Sequence, residues 1–267
     1  MVDTVVAGTA AGPRFGIGRA LSLTFGVLGR NLVPMGILSL AVTAIQSIIE
    51  FALAGGAPGG ESAGSSFLGL FSYAFITAPV TYATFQDLRG APVGLGGMYA
   101  KGYRSIGRVI GASFAFGVAI VVPVLLTIFA GWTLASTMEA AVILAGVLCG
   151  IFILYIVVSW FIVVPVLVME EIGFFAGFGR ALDLSKGRRW SILGLLLVYV
   201  VLMLAIGAVL AFVVVVFSDA PLVQELALIP FGAFYSTIGA ILPAVVYYLL
   251  RAEKEGVGID DIAKVFD

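Results

Sequence analysis

The stretch that decides the fold is Trp190–Ser218, which reads WSILGLLLVYVVLMLAIGAVLAFVVVVFS and contains no charged residue. It is longer than the roughly 20 apolar helical residues that cross a bilayer core of about 30 Å. Its apolar residues follow one another without the alternation of a transmembrane barrel strand, and this indicates a helix. Together with five similar charge-free windows, it predicts six transmembrane helices, the other five being Asn31–Ile49, Ser62–Gln86, Val109–Met138, Ala140–Met169 and Leu226–Leu250.

The composition also indicates an all-α integral membrane protein. Apolar residues make up 61% of the 267 residues, whereas a soluble domain has about 45–50%. This excludes a soluble globular domain and a disordered chain. The net charge of −1 provides no basic footprint for nucleic acid, so we expect no nucleic-acid partner. Because the chain has one cysteine and no histidine, we predict no metal site, no cofactor and no enzymatic activity.

The charged residues predict the orientation of the helices. All 14 Lys and Arg residues fall on one side of the predicted membrane. Under the positive-inside rule both termini are then cytoplasmic, and we place the protein in a bacterial plasma (inner) membrane. The opposite loops carry only acidic residues, namely Glu50, Glu61, Glu139, Asp219 and Glu225.

The chain contains an internal repeat of about 80 residues. The octapeptides Gly16–Leu23 and Gly177–Leu184 agree at six of eight positions, and Gly94–Gly96 begins a more diverged copy. Each even-numbered span carries a proline that is followed by charge and then glycine. We therefore predict one membrane domain over residues 1–267, built from the repeats 14–90, 91–173 and 174–256 and followed by a cytoplasmic tail, 257–267. The prolines are Pro79, Pro165 and Pro243, and the glycines are Gly90, Gly173 and Gly256.

Each predicted hairpin is preceded by a short amphipathic segment. In the first of these, Ile17, Leu21, Phe25 and Leu28 form an apolar stripe at helical spacing. Such helices lie in the headgroup layer with their basic residues near anionic phosphates. They either orient the spans or form a collar that binds lipid headgroups. For the collar, the expected headgroup-binding residues are Arg19, Arg30, Lys101, Arg104, Arg108, Arg180, Lys186, Arg188 and Arg189.

Few polar residues fall at membrane depth, where they are candidates for function. Gln46 and Glu50 lie one turn apart on the first span, and Thr81 and Tyr155 lie on later spans. These four residues either line a polar cavity or make local contacts with water and backbone.

Small residues four positions apart let transmembrane helices approach closely. Gly146 and Gly150 have this spacing in the fourth span. We predict that they form a packing face, either within the chain or against a partner.

Two acidic residues follow the fourth span at the cytoplasmic side. With no histidine nearby, Glu170 and Glu171 are expected to pair with Arg180 or Arg188 and not to act as a catalytic couple.

Two segments carry a resemblance to a known family. Glu170–Leu197 combines an acidic turn, an amphipathic helix that contains Gly179-Arg180-Ala181, and the motif KGRRW (186–190) that opens a span. Tyr247–Gly256 reads YYLLRAEKEG. Both segments resemble bacterial multi-pass proteins of the glycerophosphoryl diester phosphodiesterase membrane-domain-like family. In that family catalysis belongs to a separate soluble barrel domain, so the resemblance implies membrane architecture without the phosphodiesterase activity.

These observations predict a non-enzymatic protein that organises lipid or a membrane-protein complex at the cytoplasmic leaflet. The expected partners are anionic lipid headgroups, and either a membrane-protein partner or further copies of the chain. The alternative is a transporter or channel for a lipid-like or neutral solute. A polar cavity in which Gln46, Thr81 and Tyr155 converge would favour transport, whereas a solidly packed bundle would favour the organising role.

Overall fold

The computed structural model describes residues 15–55, 63–134, 138–217 and 221–256. Over these ranges the chain is helical and contains no strand, with one 3-10 turn at Tyr103–Ser105. The predicted cytoplasmic tail, 257–267, lies outside them. The helices in chain order are α1 (Ile17–Arg30), α2 (Leu32–Leu53), α3 (Ala63–Leu88), α4 (Leu95–Gly102), α5 (Ile106–Leu134), α6 (Glu139–Trp160), α7 (Val163–Met169), α8 (Phe174–Ser185), α9 (Arg189–Phe217) and α10 (Pro221–Glu255).

Six helical segments within the described ranges are long and apolar enough to cross a membrane, and this confirms the predicted number. Helix α10 continues beyond the apolar window, through the charged residues Arg251–Glu255. The six segments are Leu32–Leu53, Leu68–Leu88, Leu95–Thr133, Glu139–Met169, Arg189–Phe212 and Leu228–Glu255.

The fourth span is two helices and not one, because α6 ends at Trp160 and α7 begins at Val163. Pro165 lies in the first turn of α7 and has no backbone N–H to offer the carbonyl of Phe161, four residues earlier. The helix is therefore interrupted at Phe161 and Ile162. Pro79 and Pro243, in contrast, lie inside the continuous helices α3 and α10.

The glycines that follow the second span of each predicted repeat are not equivalent. Gly90 and Gly256 have φ values of 71° and 64°, the left-handed conformation that ends many helices and suits glycine. At the corresponding place after α7, the left-handed residue is Glu171, with φ 49°. Gly173 is extended and precedes α8.

The core of the bundle lies on α3, α7 and α10. In the apolar window of α3, 61% of the residues are buried, and in that of α10, 56% are buried. In the windows of the third, fourth and fifth spans the buried share is 11% each. Every residue of α7 is buried. The long helices α5, α6 and α9 instead expose large aliphatic and aromatic side chains along their length. Apolar surface of this extent suits contact with hydrocarbon, not water.

One buried side-chain hydrogen bond joins α2 to α10. The hydroxyls of Ser39 and Thr237 are 2.7 Å apart, and both side chains are buried. In an apolar environment such interhelical bonds contribute about 0.6 kcal/mol on average.

We expect Thr237→Val to reduce the free energy of unfolding by about 0.6 kcal/mol, because the isosteric side chain cannot bond to Ser39. Denaturation of the purified protein in mixed micelles measures this change. Ser236→Ala is the control, since Ser236 bonds within its own helix, to the carbonyl of Gly232. A larger loss from Ser236→Ala than from Thr237→Val would contradict the assignment.

Candidate functional site

The candidate site is the basic end of the bundle, where α1, α4 and α8 meet the ends of α3, α7 and α10. The backbone N–H of Phe15, just before α1, donates to a carboxylate oxygen of Glu253 at 2.8 Å. The ammonium group of Lys254 donates to the carbonyl of Asp183 in α8 at 2.6 Å. The end of α10 therefore holds two of the three short helices.

The short helices α1 and α4 bury only part of their predicted apolar stripes. In α1 the buried side chains are Ala20, Thr24, Val27 and Leu28, while Phe25 is 37% exposed. The expected stripe of α1 is therefore rotated relative to its packed face. In α4, Met98 is buried but Leu95, Tyr99 and the adjacent Tyr103 are exposed.

Glu170 is the centre of an ionic network at this end. Its carboxylate accepts two hydrogen bonds from Nε of Arg180, at 3.0 and 2.9 Å. The Tyr247 hydroxyl donates to the same carboxylate at 2.8 Å, and the guanidinium of Arg251 lies 4.0 Å away. The side chain of Glu170 is 13% exposed. The predicted pairing of Glu170 with Arg180 is thus confirmed, whereas Glu171 is exposed.

Two further acidic residues at this end pair with arginines, and one of them, Glu255, extends the network. Glu255 pairs with both Arg180 and Arg251, and Glu253 pairs with Arg188. Partial burial alone would lower the pKa of Arg180, but hydrogen bonds to Glu255 and Glu170 raise the pKa above its ordinary value. Arg180 therefore remains charged, and its charge is neutralised within the fold.

A separate ion pair lies between α1 and α3. Arg30 donates to Asp87, with Nη2 and Oδ2 2.6 Å apart, and the Asp87 side chain is only 9% exposed. The side-chain amide of Asn31 donates to the other carboxylate oxygen at 2.6 Å. The hydrogen bond to Asp87 raises the pKa of Arg30.

The predicted headgroup-binding residues therefore fall into three groups. Arg30, Arg180 and Arg188 pair with carboxylates of the protein itself. Arg104 and Lys186 are exposed and make no ion pair within the part of the chain that the structure describes. Four predicted residues remain. Arg19 is exposed, and Arg108 donates to the Ser105 hydroxyl at 3.0 Å. The guanidinium of Arg189 lies over the Tyr155 ring, and the side chain of Lys101, in α4, lies outside the described part of the chain.

Exposed aromatic residues accompany the basic residues. Phe175 and Trp190 are each 85% exposed, and Tyr103 is 64% exposed. Aromatic side chains of this kind concentrate at membrane–water interfaces. The basic end thus carries both positive charge and interfacial aromatic rings.

The polar residues predicted for a cavity have separate surroundings. Gln46 donates to Glu50 at 2.9 Å on α2. Thr81 is fully buried, and its hydroxyl has no hydrogen-bond partner among the described residues. Tyr155 lines an apolar groove between α5 and α6, to which neither Gln46 nor Thr81 contributes. The structure does not bring the three residues together in this groove.

The predicted packing face at Gly146 and Gly150 is open. Both glycines are exposed, and no atom lies within 4 Å of the place where a Cβ would stand. Packing of this face within the described part of the chain is therefore not observed. Packing against a partner stays a prediction.

Sequence reasoning missed the contribution of α10 and of Asp87. Tyr247, Arg251 and Glu255 follow one another at intervals of four residues, the spacing that places side chains on one face of a helix. That periodicity was a usable signal for the network. Nothing in the local sequence marks Asp87, because its partners lie 56 and 57 residues away.

The arginines of this network are paired with carboxylates of the protein itself. Each network carboxylate lies beside at least one guanidinium. Among the described residues, no group of three or more His, Cys, Asp or Glu side chains is placed to hold a metal ion. Comparisons of the chain with protein-family models, curated proteins and solved structures find no match.

Proposed function

We propose that this chain is a non-enzymatic protein of the bacterial inner membrane that organises anionic lipids, or a complex embedded in them, at the cytoplasmic leaflet. The observation that carries the proposal is the coincidence of exposed Arg104 and Lys186 with exposed Tyr103, Phe175 and Trp190 at one end of the bundle. Lipid phosphate groups attract the two basic side chains, and the interfacial layer of the membrane accommodates the three aromatic rings.

The proposal includes a threefold organisation with cytoplasmic termini. Three times, a short helix precedes a mostly exposed span and a second, proline-containing span that contributes to the core. The short helices α1, α4 and α8 then lie in the headgroup layer. The proposed membership of the glycerophosphoryl diester phosphodiesterase membrane-domain-like family is compatible with an organising role in the membrane.

The ion pairs determine which basic residues we assign to lipid. An arginine that already bonds to a carboxylate of the protein would have to break that bond to bind a phosphate. Arg180 and Arg188 are engaged in this way, so we assign them to the stability of the fold. Arg104 and Lys186 have no such competitor, and we assign them to headgroups.

We expect the double substitution Arg104→Ala and Lys186→Ala to weaken the preference for anionic over neutral phospholipid by about 30-fold. Each basic residue near an anionic surface contributes about 1 kcal/mol, so losing two removes about 2 kcal/mol. Native mass spectrometry of the full-length protein, released gently from nanodiscs of mixed anionic and neutral lipid, counts the lipids retained.

The control variant exchanges the two residues while keeping their charge, as Arg104→Lys and Lys186→Arg. It is expected to retain anionic lipid as the parent protein does. Equal retention by the alanine variant and the charge-conserving variant would refute the proposed role of these residues.

Transport of a lipid-like solute is the alternative function. The specific observation in its favour is the apolar groove beside Tyr155, with a volume of about 440 Å³. Reconstitution in liposomes with a fluorescent phospholipid tests it directly. Protein-dependent movement of the probe between leaflets would support transport, and its absence would leave the organising role.

A further inference from the structure

The groove between α5 and α6 has the form of a site for one hydrocarbon chain. Val118 and Val122 contribute from α5, Phe152 and Ile156 from α6, and Leu182 from α8. From Phe152 to Trp160 the α6 wall extends about 12 Å along the helix axis. The volume of the groove, about 440 Å³, lies within the range of small-molecule sites in proteins.

The walls of the groove are held by features that do not depend on a ligand. Pro123 lines the groove and lies inside α5, where it cannot donate to the carbonyl of Ala119, which also lines it. Trp160, at the basic end of the groove, packs against Phe178 with ring centroids 4.4 Å apart and against Phe116 at 6.2 Å. The shape of the groove is therefore built into the packing of the helices.

A positive charge lies beside the groove, at its basic end. The guanidinium carbon of Arg189 is 4.7 Å from the ring centroid of Tyr155, which lines the groove. The Nε atom of Arg189 is buried and has no hydrogen-bond partner among the described residues. A buried N–H donor without an acceptor is unfavourable, so this N–H is a candidate to donate a hydrogen bond to a ligand oxygen.

From this juxtaposition we propose that the groove binds a single anionic phospholipid of the cytoplasmic leaflet. One acyl chain lies against Val122 and Phe152, and the phosphate accepts hydrogen bonds from Arg189. Guanidinium groups bind phosphate oxygens through charge-assisted hydrogen bonds, while the apolar walls offer nothing to a polar solute. This inference rests on the proposed function and deepens it, because it names one stoichiometric site in addition to the diffuse basic surface.

The test uses the full-length protein in nanodiscs of phosphatidylcholine and phosphatidylglycerol, with a phosphatidylglycerol probe that carries a photoreactive acyl chain. Val122→Trp fills the groove and is expected to reduce crosslinking to peptides of α5 and α6 at least tenfold. Val121→Trp is the matched control, because Val121 is exposed to a similar extent as Val122 but does not line the groove. It is expected to leave groove crosslinking unchanged.

A second variant tests the charge without changing the groove. Arg189→Gln is expected to reduce the preference of the groove for the anionic probe over a phosphatidylcholine probe about fivefold, the effect of one basic residue near phosphate. This variant also decides the question if Val122→Trp fails to fold, which a melting curve would reveal. Equal labelling by the two probes in the parent protein would overturn the proposal, and so would equal labelling of the Val121→Trp and Val122→Trp variants.

The site and the general function fail in distinguishable ways. If groove labelling ignores Val122→Trp and Arg189→Gln while anionic lipid retention still depends on Arg104 and Lys186, the specific site is refuted and the organising role stands. If groove labelling depends on Val122 and Arg189 while total retention ignores Arg104 and Lys186, the site is supported and the diffuse basic surface is refuted.

Discussion

Replacing Glu170 by Gln is expected to lower the free energy of unfolding by about 3 kcal/mol. The carboxylate accepts hydrogen bonds from Arg180 and Tyr247 and faces Arg251. Glutamine removes the negative charge and directs an amide N–H₂ group towards one of these donors. Removing one partner of a buried pair costs about 3–5 kcal/mol, and we take the lower end because Arg180 is 31% exposed.

Denaturation in mixed micelles measures this loss, and the chain provides a matched control one residue away. Glu171 is exposed, so Glu171→Gln is expected to change the free energy of unfolding by less than about 0.5 kcal/mol. The two variants have the same change of charge and the same change of atoms. A similar loss for both would mean that the network around Glu170 contributes little to stability.

Replacing Gly102 by Ala is expected to destabilise the protein by about 3 kcal/mol, the upper end of the usual cost of overpacking. A Cβ at this position would lie 2.6 Å from the Cα of Pro79 and 2.9 Å from its nitrogen. These atoms belong to the backbone of α3, which cannot move aside as a flexible side chain can. The substitution therefore separates α4 from the core span on which it packs.

Gly97 in the same helix is the control for this prediction. It is exposed, and no atom lies within 4 Å of its Cβ position. Because alanine is favoured over glycine in a helix by up to about 1 kcal/mol, Gly97→Ala should leave stability unchanged or increase it. Thermal unfolding of both variants decides the matter, and a Gly102→Ala protein as stable as Gly97→Ala would show that α4 and α3 are not in close contact.

The number of spans was predictable because it depends on a local property of the chain. An apolar window of bilayer length needs no partner to be recognised. Trp190–Ser218 illustrates this, since α9 occupies Arg189–Phe217. The break between α6 and α7 was not predicted, because proline often lies inside a continuous membrane helix, as Pro79 does in α3.

The candidate site was predictable only in its residue types. Lys and Arg on one side of the membrane indicated a basic end, and the pairing of Glu170 with Arg180 followed from their short separation. Which arginines are paired within the protein depends on contacts made over 57–75 residues, such as those of Arg30 with Asp87 and of Arg180 with Glu255. No local pattern encodes such distances.

The amino-acid sequence by itself determined that this is a helical membrane protein with six spans, because hydrophobic length and the absence of charge are additive along a single segment. Only the tertiary structure decided that α3, α7 and α10 contribute most to the core, that three predicted headgroup-binding arginines are neutralised internally, and that Arg189 lies beside an apolar groove. Those outcomes depend on which helix faces approach one another. Helices of similar hydrophobicity can pack in many ways, and the choice among them is made by side chains distant in the sequence.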